Sequence, residues 1–177
     1  MTARYEFYAE QAFLSFVKRS LTQEYGEWEH EIEQGVACLM ACGAALEALV
    51  NSAFRIDGRF GAYDELRLES KIEVLADFGG AVVNWGERPW QKIRELIKVR
   101  NRLAHYKDPN RGLINAEGDW LPAPRDFDPE AALSMRAVSQ YYDAVRAAAI
   151  ALVVGLPSTS GHFGFLQSEH YEWYLIG

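Results

Sequence analysis

The chain has 177 residues, 49% of them hydrophobic and 24% charged, enough for one domain that buries its own core without disulfide or metal staples. Its formal net charge is -7 and its pI about 5.1, which excludes a protein that coats nucleic acid by bulk positive charge. Aromatic residues make up 13%, so a core or an interface rich in large rings is expected.

Taken in chain order, Arg4 to Glu24 has Tyr5, Tyr8, Ala12 and Phe16 at helical spacing and predicts a first helix. Gly26 interrupts it. Trp28 to Ile56 predicts a long second helix, apolar on nearly all sides in its middle, as expected of a central, buried helix. Gly35 to Phe54 is long enough to cross a membrane. Its central acid Glu47 and its many small residues argue instead for a helix buried in protein. Cys38 and Cys42 lie one helical turn apart, which makes two buried thiols rather than a metal or redox motif. Asp57, Gly58 and Gly61 end this helix.

Asp64 is placed to cap a third helix reaching about Phe78, with Leu68, Ile72 and Leu75 inward, closed by Gly79 and Gly80. Pro89 suits the start of a fourth helix running to about His105. Lys107 to Asp128 reads as a long proline-rich connection, a length usually reserved for function. Asp128 and Pro129 then start a fifth helix to about Leu156, with an inward stripe of Leu133, Val138, Tyr141 or Tyr142, Val145, Ala149 and Leu152. The segment from Gly161 is aromatic and is expected to pack back or to form a short strand. Strand signals are too few for a sheet. The expected architecture is one all-α domain over residues 1–177: an antiparallel bundle of four to five helices over about 4–156, with a short aromatic C-terminal extension over 157–177. The N-terminus lacks a basic region followed by an apolar run, so no secretory leader is expected and a cytoplasmic location is.

The fourth helix breaks its own pattern. At about 100° per residue with Ile93 at zero, Arg100 falls at about 340°, between Leu96 at about 300° and Ile97 at about 40°. A guanidinium in an apolar stripe needs a carboxylate, carbonyls, a subunit interface or an anionic ligand. The second helix carries the opposite charge in the same way: Glu47 lies in the stripe of Val36, Met40, Gly43, Val50 and Phe54. Glu47 is therefore expected beside Arg100 or its symmetry mate. Asn101 and His105 fall on one flank of Arg100. Arginine can neutralise a phosphate bidentately, and histidine can move protons near neutral pH. Gly86 to Arg111 holds eight Lys or Arg against three acids, a net +5 that leaves -12 on the rest of the chain. A basic patch on an acidic protein points to a localised anionic ligand.

The run Ile97-Lys-Val-Arg-Asn-Arg-Leu-Ala-His105 resembles the signature of the HEPN domains, in which an Arg, usually followed by a polar residue, precedes a His with four to six residues between them. The convincing likeness covers Trp90 to Tyr106. The earlier helix with its single acid, Glu47, is also similar. The resemblance implies a helical bundle that forms a homodimer, with the two motifs meeting in a composite cleft. It implies cleavage of RNA without metal or other cofactor, as in toxins of toxin-antitoxin pairs and phage-defence effectors. Arg100 would then hold the scissile phosphate, His105 would serve as general acid or base, and Asn101 would orient one of them. Glu47 would support Arg100, and Lys98, Arg102 and Lys107 would bind substrate. Each proton transfer of this kind is worth about 10²–10⁴-fold. An antitoxin or regulatory protein is a further implied partner. One departure stands out: the tyrosine that antitoxin nucleotidyltransferases modify in some members, two residues after the His, is Lys107 here, and Tyr106 is one position early. Other members lack nuclease activity, so a dimeric interaction module or a nucleotide-binding module is the alternative. His30, His105, His162 and His170 are dispersed and make no metal motif.

Overall fold

The computed structural model describes residues 8–56, 58, 60–104, 128–156 and 162–167, and these are mostly helical with no strand among them. The expected connection over 107–127, the end of the chain beyond 167 and the first seven residues lie outside the described residues.

Helix α1 spans Ala9–Ser20. Its buried face is Glu10, Leu14, Val17 and their neighbours, whereas Tyr8, Ala12 and Phe16 are half-buried. The aromatic spacing thus marks the shoulder of the helix, and the inward face carries an acid. Helix α2 spans Trp28–Ile56 and is the element the others pack on. It is the one helix among those described that is long and apolar enough to cross a membrane. Cys38, Leu39, Cys42, Ala45, Leu46, Leu49 and Val50 are nonetheless buried inside the protein, as a core helix requires. Its first half opens outward: Val36 is half-buried and Met40 is 37% exposed.

The third expected helix is α4, Leu68–Gly79, which starts later than expected, and a short α3, Phe60–Tyr63, precedes it where only a turn was expected. Asp64 does not cap α4, whose N-cap position is Arg67 with no side-chain hydrogen bond. It lies instead 3.9 Å from the buried Lys71 amine, and Gly61 sits inside α3 rather than in a turn. Gly80, at φ +67°, ends α4 in the left-handed conformation that glycine adopts without penalty. Ala81 N–H then returns to the Ala76 carbonyl at 2.8 Å.

Helix α5 spans Trp90–Ala104 and buries Trp90, Ile93, Leu96 and Ile97. The fifth expected helix is broken at Ser134 into α6, Pro129–Leu133, and α7, Met135–Val154. Asp128 caps α6 by accepting from Ala131 N–H at 3.2 Å, and Ser134 caps α7 by accepting from Ala137 N–H at 3.4 Å. Glu31 of α2 accepts Met135 N–H at 2.9 Å, so the restart is fixed by the neighbouring helix as well. Every member of the expected α7 stripe is buried, Tyr141 and Tyr142 both included.

Hydrogen bonds set the relative directions. Gln34 donates to Ser20 Oγ at 2.8 Å, so α1 turns back along α2. The Glu31–Met135 contact starts α2 and α7 at the same end. Tyr141 donates to Glu95 at 2.8 Å, joining α7 to α5. Near both ends of α7, backbones touch where glycine allows it. A Cβ on Gly35 would fall on the Leu133 carbonyl oxygen, and one on Gly155 on that of Gly79. A 3-10 turn at Gly164–Gln167 packs Phe163 and Leu166 into the core, so the aromatic segment does fold back there.

Candidate functional site

Arg100 is placed by the geometry of two helices. On α5 it follows Ile93 and Ile97 along the inward flank, but the helix leaves the core at this point: Leu103 is half-buried and Ala104 exposed. On α2 the facing residue is Gly43. A Cβ there would lie 2.6 Å from Arg100 Cδ, so the missing side chain is the bed for the aliphatic stem of the arginine. The stem carries the guanidinium to Glu47, one turn further along α2, where Nη1 and Oε2 are 3.0 Å apart. The expected meeting of these charges therefore occurs within one chain.

Its setting differs from the apolar one expected. The Arg100 side chain is 26% exposed and that of Glu47 43%, because the apolar stripes of both helices open to solvent there. Such a pair contributes about 0–1 kcal/mol, whereas breaking a fully buried pair costs several kcal/mol. Its main effect is orientation. A guanidinium carries five N–H donors in a rigid plane, so a carboxylate on Nη1 fixes the plane without exhausting it. An arginine held this way at a solvent-open edge can receive a second anion.

The other expected residues divide. Asn101, Lys98 and Arg102 are exposed on the outer side of α5, as is Arg94. At about 100° per residue, Lys98 and Arg102 fall at about 140° and 180°, on the face turned away from Arg100 at about 340°. His105 and Lys107 lie outside the described residues; His105 follows directly in sequence on Ala104, the last described residue of α5.

Two clusters escaped the sequence reading. Glu10 is 2% exposed, and its Oε1 lies 2.8 Å from His162 Nε2. The imidazole meets the rings of Tyr8 and Phe163 edge-on. Glu10 falls four residues before Leu14 and seven before Val17, so the acid-in-a-stripe argument that found Glu47 applies to it as well. Lys71, 5% exposed, donates to Asn51 Oδ1 at 3.0 Å. Burial also raises the pKa of the Tyr25 phenol, of the Cys38 and Cys42 thiols, and of the Tyr141 phenol, where the nearby Glu95 carboxylate adds to the effect. The cysteines are free thiols in an apolar setting, suited to packing rather than chemistry. Among the described residues no three His, Cys, Asp or Glu gather as a metal site would require.

Comparison with protein-family models, curated proteins and solved structures finds no match.

Proposed function

We propose that the chain is a metal-independent endoribonuclease of the HEPN type, a helical bundle acting as a homodimer in the cytoplasm, with a role in toxin-antitoxin or phage-defence systems. The observation that carries this reading is the Arg100–Glu47 pair. It holds a guanidinium toward the solvent-open end of α5, one residue before Asn101 and, in sequence, five before the His105 of the motif, with Lys98 and Arg102 exposed on the same helix.

The chemistry needs few parts. The 2′-hydroxyl of RNA attacks the adjacent phosphorus and loses its proton to a base. The P–O5′ bond breaks and the leaving oxygen takes a proton from an acid. The products are a 2′,3′-cyclic phosphate and a 5′-hydroxyl. Arg100 would hold the non-bridging oxygens and stabilise their developing charge. His105 would supply one proton transfer, the partner subunit's copy the other, and Asn101 would orient substrate or imidazole.

The test is RNA cleavage in EDTA by wild type, Arg100→Ala and His105→Ala, with end-group analysis. Cleavage lost in both variants, with cyclic phosphate ends in the wild type, is expected. A folded dimer that cuts none of the RNAs offered would overturn the reading in favour of an interaction module. The same ion pair favours that second reading to a degree, since Arg100 already has a carboxylate partner. There, Arg100→Ala would cost the dimer or the fold.

A further inference from the structure

A cleft of about 300 Å³ lies between the start of α5 and one face of α7. Arg88 and Lys92 line it from the α5 side, and Gln140, Asp143 and Ala147 from α7. The α7 residues recur every three or four positions and so share one face of that helix. The volume is at the small end of sites for organic molecules.

One wall is fixed from the core. Glu95 takes Lys92 Nζ at 2.7 Å with one oxygen and the hydroxyl of the fully buried Tyr141 at 2.8 Å with the other. Lys92 Nζ also lies 5.2 Å from the centre of the Tyr141 ring. Its charge is matched, and what it lends the cleft is its apolar stem. Pro89, Ala144 and Ala147 extend that apolar surface. Arg88 and Asp143 differ. Both are exposed and both line the cleft, yet among the described residues neither makes a hydrogen bond or an ion pair, with the other or with anything else. The Arg88 backbone is held between two turns, Glu87 N–H to the Asn84 carbonyl at 3.0 Å and Gln91 N–H to the Glu87 carbonyl at 2.8 Å. Opposite charges thus face one small space without cancelling. The half-buried amide of Gln140, which can donate and accept, stands with them. A simple anion would meet the Asp143 carboxylate there, and a simple cation the Arg88 guanidinium. A molecule that carries both charges meets neither penalty.

We propose that this cleft binds a small zwitterion, an amino acid with an apolar body. Its carboxylate lies on Arg88, its ammonium on Asp143, and its carbon chain over Ala144, Ala147 and the Lys92 stem. The guanidinium can take the carboxylate with two parallel hydrogen bonds, and Gln140 adds one to either head group. The Lys92–Glu95–Tyr141 chain is the positioning device, because it ties one wall of the cleft to the core. The site does not rest on the RNA-cleaving reading, since none of these residues belongs to the Arg100 motif.

Nuclear magnetic resonance titration of the full chain with leucine and, separately, δ-aminovalerate tests it and separates closely spaced from widely spaced charges. The expected result is a saturable shift of the Gln140 side-chain amide with at least one of the two. The analogues that lack the ammonium (isocaproate, valerate) or the carboxylate (isopentylamine, pentylamine) bind roughly tenfold or more weakly, the effect of losing one charge-assisted hydrogen bond. Arg88→Gln weakens the zwitterion and the acids but not the amines. Asp143→Asn weakens the zwitterion and the amines but not the acids. Both positions are exposed, so the core stays intact. No saturable shift with either zwitterion, equal affinity in wild type and both variants, or an analogue that binds as tightly as its parent zwitterion overturns the proposal.

Discussion

The guanidinium of Arg100 lies 3.0 Å from the carboxylate of Glu47, and its stem crosses the bare backbone of Gly43 to get there. Three residues on two helices thus fix one side chain. A double-mutant cycle with Glu47→Gln and Arg100→Met should give a coupling of about 0.5–1 kcal/mol in urea unfolding, the range for partly exposed pairs. Gly43→Ala should fold, helped by the better helix propensity of alanine, about 1 kcal/mol. The same cycle run on that background should lose its coupling, because the new methyl displaces Arg100 Cδ. A coupling that survives Gly43→Ala would show that the glycine does not set the arginine's path.

Gly35 and Gly155 make a harsher demand. A methyl on either would overlap a backbone carbonyl oxygen, that of Leu133 or of Gly79. Backbone cannot swing aside as a side chain can. Each Gly→Ala change should destabilise by about 1–3 kcal/mol or more, the range for overpacking a close-packed site, measured by denaturant titration. At Gly35, inside α2, the loss would appear against the favourable helix propensity of alanine. A stabilised Gly35→Ala protein would disprove the contact.

High pH should unfold the protein in a defined window. The folded state raises the pKa of Cys38, Cys42 and Tyr141. The unfolded chain, with thiols near about 8.5 and tyrosine near about 10, releases these protons first. It then binds fewer protons than the native state, so stability falls as pH rises above about 8.5 and is fully present below it. Tyr141→Phe should flatten the loss above about pH 10, at the expense of about 1 kcal/mol near neutrality for its hydrogen bond to Glu95. Thiol reagents should label the two cysteines at the rate of unfolding.

The contact of His162 with Glu10 also predicts a stability effect. His162→Ala would leave a carboxylate that is 2% exposed without this 2.8 Å partner. A loss of about 1–3 kcal/mol is expected from the unmet desolvation of that group. A change within experimental error in thermal unfolding would show that the carboxylate is satisfied elsewhere.

These contacts also show where the sequence was readable. Long periodic segments were: Trp28–Ile56 was bounded to the residue, and the α7 stripe is buried throughout. Charge out of place in an apolar stripe located Glu47 and Arg100 as a pair. Local cap chemistry was less dependable. Asp64 looked like a cap but sits beside Lys71, a residue whose burial depends on α2 and α4 coming together. The break at Ser134 depends on Glu31, more than a hundred residues earlier, and no window of local sequence contains both. Glu10 was hidden because neighbouring tyrosines suggested a different inward face for α1, and His162 because its partner is 152 positions away.

The glycine contacts have a mechanical meaning. The stretch from Leu133 to Gly155 is seated at both ends: the Leu133 carbonyl rests on Gly35 at one, and the Gly79 carbonyl rests on Gly155 at the other. A rod of about 30 Å for α7's 20 residues that is stopped at both ends has no stroke: it cannot ratchet along its axis by the helical turn that some switching proteins use. Any shift of α5 against α2 must therefore come from rotation of side chains or from rocking of α5, with α7 as the fixed post.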